Sequence, residues 1–222
     1  MIYGNIERVT EMSFNHVELN KKFLIMGSDS RETFSKNEYV DNRQKTFINK
    51  ELKLCWSMTG MISYNNVDLY DIINHIMNMP IIITEKLLII ENLMCFETER
   101  FHHLTDDDII FDMFIGQNEN KNNALYVLEV KNGISQKDKN KCYRESGKFS
   151  SGIKTKYQES INSFHFTDKI TGVKDLDSII HLIMKESNQN DKTVGGDTYI
   201  VVMDNKGNIN TYINAIECDF EK

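Results

Sequence analysis

Two apolar stripes at helical spacing, set among short strand-like runs, constrain this chain more than any other feature. Leu69, Ile72, Ile73, Ile76 and Met77 recur at i, i+3, i+4, i+7 and i+8 ahead of Pro80, and Leu176, Ile179, Ile180, Ile183 and Met184 form another stripe behind Asp175. A helix with one apolar face must bury it, and the flanking segments predict sheets for it to cover. Phe14 to Leu19 and Phe23 to Ser28 read as a hairpin around Asn20-Lys21-Lys22. Thr46 to Ile48 and Leu54 to Thr59 read as a second strand pair. A further helix is expected after Thr84, which can cap it, through Leu87, Leu88, Glu91 and Met94 toward Arg100. Ile109 to Ile115 and Ala124 to Val130 return to strand character on either side of the polar loop Gln117 to Asn123. Tyr199 to Met203 and Asn210 to Ile213 close a hairpin around Asp204-Asn205-Lys206-Gly207. Strands, two helices, strands, helix, strands: this order favours α+β layers over a doubly wound parallel sheet.

With 222 residues, 40% of them hydrophobic, the chain can bury one sizeable core, and a single domain over 1–222 is expected. No repeat or linker divides it, and Lys137 to Arg144 reads as a solvated, mostly basic loop. The net charge of -7 argues against a nucleic-acid or anionic-membrane partner, and none is expected. Cys55, Cys95, Cys142 and Cys218 are widely spaced free thiols, and the adjacent His102 and His103 project in different directions. No metal site and no cofactor is therefore expected. His16 alternates onto a strand face and reads as structural. The first residues lack the basic head and apolar stretch of a secretory signal, and no apolar run approaches the ~20 residues of a membrane span. A cytoplasmic protein is the expectation.

The chemistry gathers at the first hairpin. Centred on Lys21, the hairpin places Ser13 across from Asp29, and a lysine leading the neighbouring strand, Lys45, can pair with Asp29 and reach the same hydroxyl. A serine hydroxyl holds its proton tightly and needs a base within hydrogen-bond reach.

Three motifs carry a resemblance: Gly27-Ser28-Asp29-Ser30-Arg31, the strand-head Lys45 in Lys45-Thr46-Phe47-Ile48-Asn49, and Asp191-Lys192-Thr193-Val194-Gly195-Gly196. Together they resemble the proteasome β-type family of N-terminal-nucleophile hydrolases, including bacterial proteasome-like proteins. The resemblance extends from Ser13 to about Ile213. It implies a four-layer αββα sandwich and a nucleophile at Ser13, whose base would be its own α-amine. Lys45 would lower the hydroxyl's pKa and Asp29 would orient Lys45. Gly60, in Thr59-Gly60-Met61, would give the oxyanion its N–H, and Asp191 would hold the α-amine, with Arg31 and Ser151 in support.

The sequence departs from the family's pattern at three places. Val194 stands where active members have a serine before Gly-Gly, Ser13 stands where threonine is usual, and Met12 replaces the glycine of self-processing precursors. A peptide-bonded nitrogen cannot accept a proton, so Ser13 acts this way only if residues 1–12 are absent. That extension reads as a propeptide or as a misassigned start. Translation from Met12 followed by methionine removal would expose Ser13, and Glu7-Arg8-Val9 can be encoded by a purine-rich stretch like a ribosome-binding site. The resemblance implies a homo-oligomeric peptidase acting on peptides or proteins, and leaves an ATPase partner open. Two alternatives stand beside it: a noncatalytic scaffold or interaction subunit, and a small-molecule amidohydrolase using the same residues.

Overall fold

The structure, a computed structural model, describes residues 13–35, 38–60, 63–64, 67–103, 108–152, 161, 166–190 and 193–220. Its described elements are antiparallel sheets and three α-helices, a mixed α+β architecture. The first six-stranded sheet runs β13 (Gly147–Gly152), β1 (Phe14–Leu19), β2 (Phe23–Ser28), β14 (Tyr199–Asp204), β15 (Ile209–Ile213) and β16 (Ile216–Glu217). The second runs β11 (Ile134–Ser135), β10 (Asn122–Lys131), β9 (Ile110–Glu119), β6 (Leu54–Gly60) and β5 (Thr46–Asn49), with β12 (Cys142–Tyr143) also on β10. Two small pairs, β3 (Glu32–Ser35) with β4 (Glu38–Val40) and β7 (Ser63–Tyr64) with β8 (Val67–Asp68), complete the strands.

The helices are α1 (Leu69–Asn78), α2 (Ile83–His102) and α3 (Lys169–Asn190). Asp68 caps α1, its carboxylate accepting from the N–H groups of Tyr70 and Asp71. Thr84 does not cap α2: the cap position is Ile82, without a side-chain bond, and Thr84 lies inside the first turn. Helix α3 starts six residues before Asp175, at Lys169, where the Asp168 carboxylate accepts from Thr171 N–H at 3.0 Å.

Alternation along the strands sorts the core. Val17, Leu19, Leu24 and Met26 of the first sheet meet Cys55, Phe114 and Leu125 of the second. The opposite face of the first sheet, with Phe14, Ile25 and Ile200, packs on Leu176, Ile180 and Ile183 of α3. The opposite face of the second, with Trp56, Met113 and Ile115, packs on Ile73, Met77, Ile90 and Met94 of α1 and α2. Both predicted helical stripes thus lie on sheets, except that Ile72 is exposed and Tyr70 is buried in its stead, each buried side chain contributing on the order of 1.5–3 kcal/mol.

Two turns differ from expectation for local reasons. In the first hairpin Asn20 Oδ1 accepts from Lys22 N–H (2.9 Å) and Phe23 N–H (3.1 Å), which makes Lys21-Lys22 the two-residue tip. The register is therefore Asn15 opposite Ser28 and His16 opposite Gly27, and Asp29 bonds Phe14 where pairing with Ser13 was expected. The loop expected over Gln117 to Asn123 is strand up to a tight turn at Asn120 (φ 52°) and Lys121 (φ 69°), both left-handed as such a hairpin requires. Asn118 and Asn123 are polar because they face a buried junction: Asn118 Nδ2 donates to Asn123 Oδ1 at 2.7 Å, and Asn123 Nδ2 donates to Met203 O at 3.0 Å. The segment read as a basic loop contributes β12, paired to β10. Among the described residues no helix is long and apolar enough to cross a membrane.

Candidate active site

Lys45 enters at the head of β5, fixed because its carbonyl accepts from Met58 N–H at 3.1 Å across the β5–β6 pair. Its side chain and that of Asp29 are both 0% exposed. The ammonium donates to Ser13 Oγ at 2.7 Å, to Asp29 Oδ1 at 3.0 Å and to the carbonyl of Arg31. A lysine has three donors, and all three are used here. Asp29 is held as firmly: Oδ1 also accepts from Phe14 N–H at 3.0 Å, and Oδ2 accepts from Arg31 N–H and Gly195 N–H, each at 3.2 Å. The carboxylate therefore reaches Ser13 through Lys45, although the strand register places it one residue away.

The Asp-Ser-Arg corner is a joint between segments distant in sequence. Ser30 Oγ accepts from Asp197 N–H at 2.7 Å and Asn42 N–H at 3.2 Å. Arg31 turns away from Ser13, its Nε and Nη2 gripping Asp41 at 2.7 and 3.0 Å, its Nη1 donating to Asn188 at 2.8 Å, and Tyr39 stacking on it at 3.9 Å. That grip raises the guanidinium's pKa, chiefly through Asp41. Gly195 lies against this guanidinium so closely that a Cβ there would stand 2.3 Å from Arg31 Cζ, which gives the Gly-Gly turn a packing reason. Val194 is buried in the α3-side core and its N–H donates to Ser187 Oγ at 2.9 Å. Asp191 lies outside the described residues, as do Met12 and the rest of 1–12.

On the other side of Ser13 runs β13, an element the sequence did not announce. Gly152 pairs with Phe14 at φ 97°, and a Cβ there would overlap the Ser13 carbonyl oxygen at 1.6 Å. The neighbouring Ser151 meets Thr59 Oγ1 at 2.9 Å and donates to the Asp112 carboxylate. Thr59 is followed by Gly60, at φ 94°, which closes β6 against β9. The fold thus joins Ser13 and Asp29 through Lys45, which contacts both, and Ser151 bonds Thr59, the chain neighbour of Gly60. Arg31 meets Lys45 through its backbone carbonyl. Asp112 was not anticipated, because an isolated acid in a strand carries no local signal. Burial pushes its carboxyl up to about 6, with the Ser151 bond opposing.

Beneath Lys45 a file of hydroxyls connects the sheets: Ser28 Oγ to Thr46 Oγ1 at 2.8 Å, and Thr46 Oγ1 to Ser57 Oγ at 3.2 Å. His16 lies on the opposite face of β1. It bonds Ser150 Oγ through Nδ1 at 2.7 Å, and burial pushes its pKa down to about 3, so it is a neutral buried side chain at physiological pH.

No family model and no curated protein matches this sequence. Solved structures do match. Anbu from Hyphomicrobium sp. strain MC1, as a Gly-1 mutant, is similar with TM-score 0.56 and 10% identity, over 94% of this chain and 89% of that one. Anbu (ancestral beta-subunit) from Yersinia bercovieri is similar with TM-score 0.56 and 11% identity, over 90% of this chain and 86% of that one. At such identity the likeness concerns the fold alone, and it supports a proteasome-like fold for this chain.

Proposed function

We propose that the chain is an N-terminal-nucleophile hydrolase of amide bonds in peptides, acting through Ser13 once residues 1–12 are removed, on a four-layer αββα sandwich assembled as a homo-oligomer. The observation that carries this reading is the fully buried Lys45 ammonium, 2.7 Å from Ser13 Oγ and 3.0 Å from the Asp29 carboxylate. A buried cation beside a hydroxyl favours the alkoxide that a nucleophile must become. The freed α-amine takes the Ser13 proton, Oγ attacks the carbonyl carbon, and the Gly60 N–H donates to the oxyanion. Collapse breaks the C–N bond, expelling the leaving amine with that proton, and leaves an ester on Ser13; water, deprotonated by the Ser13 α-amine, then adds to the ester carbonyl, the C–Oγ bond breaks, Oγ takes the proton back and the acid is released. In the intact chain Ser13 is 2% exposed and its nitrogen is an amide, so chain removal precedes activity.

A second reading has its own support. Val194 places an apolar side chain in the core where active relatives of the resembling family carry a hydroxyl, which suits a noncatalytic subunit of the same fold. Intact mass of the protein from its native host separates the two. A species starting at Ser13 that loses peptide hydrolysis on Ser13→Ala supports the hydrolase; a species retaining residues 1–12 overturns it in favour of the scaffold.

A further inference from the structure

A cavity of about 330 Å³ opens beside the candidate site, lined by Asp112, Phe114 and Val127, by Glu129, Asp138 and Lys139, and by Tyr143, Phe149, Ser150 and Ser151. It is joined to the proposed nucleophile along two strands. Its wall residue Ser151 precedes Gly152, over which the Ser13 carbonyl passes, and Ser151 also bonds Thr59, the residue before Gly60. Its volume lies at the lower end for ligand pockets, enough for one long side chain.

The lining has a definite chemistry. Three carboxylates, Asp112, Glu129 and Asp138, face one cation, and that cation, Lys139, is paired with Glu129. Asp112 is left with the Ser151 hydroxyl as donor and, among the described residues, no ion-pair partner. Its carboxyl is held at about 6 chiefly by burial, with the Glu129 charge adding to the rise and the Ser151 bond and the Lys139 charge opposing it, and a further positive charge placed in the cavity would lower it. The walls are aromatic: Tyr143 and Phe149 lie 4.6 Å apart by ring centroid, with Phe114 6.3 Å from Phe149. Aromatic faces beside a carboxylate with no ion-pair partner among the described residues suit a guanidinium or ammonium carried on an alkyl stem. A metal ion is a poor occupant, because among the described residues no three His, Cys, Asp or Glu side chains are placed to hold one.

We propose that this cavity is a subsite for the basic side chain, Arg or Lys, of a peptide substrate, anchored by Asp112 with Glu129 at its side. The proposal rests on the reading of Ser13 as nucleophile for its place in catalysis, and on the cavity alone for binding.

Calorimetric titration of the full chain with Nα-acetyl-arginine amide tests the binding, with the neutral isostere Nα-acetyl-citrulline amide as control. Saturable binding of the arginine compound is expected, at least tenfold weaker for citrulline and at least tenfold weaker in Asp112→Asn. Glu129→Gln, whose carboxylate is already paired with Lys139, should weaken it less and guards against misfolding of the first variant. No arginine binding, equal binding of both compounds, or an unaffected Asp112→Asn overturns the subsite. Hydrolysis by the Ser13-initiated species separates the two readings. Cleavage of peptidyl amides without preference for a basic residue sinks the subsite and keeps the hydrolase. Arginine binding by a protein that cleaves nothing keeps the subsite and sinks the hydrolase.

Discussion

Asp29 should be worth more to the fold than Lys45, although the two form one ion pair. Replacing Lys45 by Met removes a cation from a fully buried pair, but Asp29 keeps the N–H groups of Phe14, Arg31 and Gly195. Breaking a buried pair costs about 3–5 kcal/mol, and those three donors place Lys45→Met near 3. Asp29→Asn strands the ammonium and does further damage. Donors lie on both sides of the carboxylate, Phe14 N–H and Lys45 Nζ at Oδ1, Arg31 N–H and Gly195 N–H at Oδ2. An asparagine presents oxygen to one side only, so its NH₂ faces donors on the other. Each stranded buried group costs about 1–3 kcal/mol, which puts Asp29→Asn about 2 kcal/mol beyond Lys45→Met. Urea unfolding of both variants at pH 8 measures this directly. A Lys45→Met variant as costly as Asp29→Asn, or costlier, would show that the backbone donors are not what holds the carboxylate.

Ser13→Ala leaves one Lys45 donor unmet and should destabilise the intact chain by about 1–2 kcal/mol in urea melts, little enough to leave it folded. His16 is neutral in the fold with a pKa of about 3, so the unfolded chain binds more protons below about 6.5 and stability falls as pH drops from there toward 3. At pH 5 the loss is about 2 kcal/mol, and His16→Gln should flatten that slope in melts taken across the range. Asp112 has the opposite sign, since its folded pKa of about 6 exceeds the unfolded value and its burial costs stability above pH 6. Asp112→Asn should therefore stabilise at pH 8 by up to about 3 kcal/mol, with the gain shrinking between pH 6 and 4. Gly152→Ala forces a Cβ onto the Ser13 carbonyl and should cost about 1–3 kcal/mol by the same urea assay.

How far the sequence reaches can be seen residue by residue. The first hairpin is legible because Phe14, Val17 and Leu19 punctuate one strand and Phe23 to Met26 form an apolar run in the other; its register is not, because Asn20 Oδ1 decides the tip and that bond is invisible in a hydropathy pattern. Both helical stripes were legible, since period alone places them. Strand β13 was not: Gly-Lys-Phe-Ser-Ser-Gly has one large apolar residue, and its place comes from pairing with β1 more than 130 residues earlier, as in the His16–Ser150 bond. Asn118 and Asn123 read as loop because polar side chains buried at a sheet junction imitate solvated ones. Ser13, Asp29 and Lys45 were found by their family-like spacing, whereas Asp41 and Asp112 matter only through partners that folding brings to them.

The contacts around Asp29 separate what folding requires of this corner from what catalysis would add. Two of the three Lys45 bonds, to Asp29 and to the Arg31 carbonyl, would be needed in any chain that closes β2, β5 and the Gly195 turn on one another. The Asp29 contacts to Phe14, Arg31 and Gly195 are likewise independent of chemistry. Only the third Lys45 bond, to Ser13, lies at the position where an α-amine would complete a nucleophile. The demands of folding therefore account for Asp29, Arg31 and Gly195, and leave a hydroxyl at position 13 as an element that a scaffold could replace with another acceptor. The functional weight of the site rests on Ser13 and on the state of its nitrogen, so the native N-terminus carries more information than any substitution elsewhere in the corner.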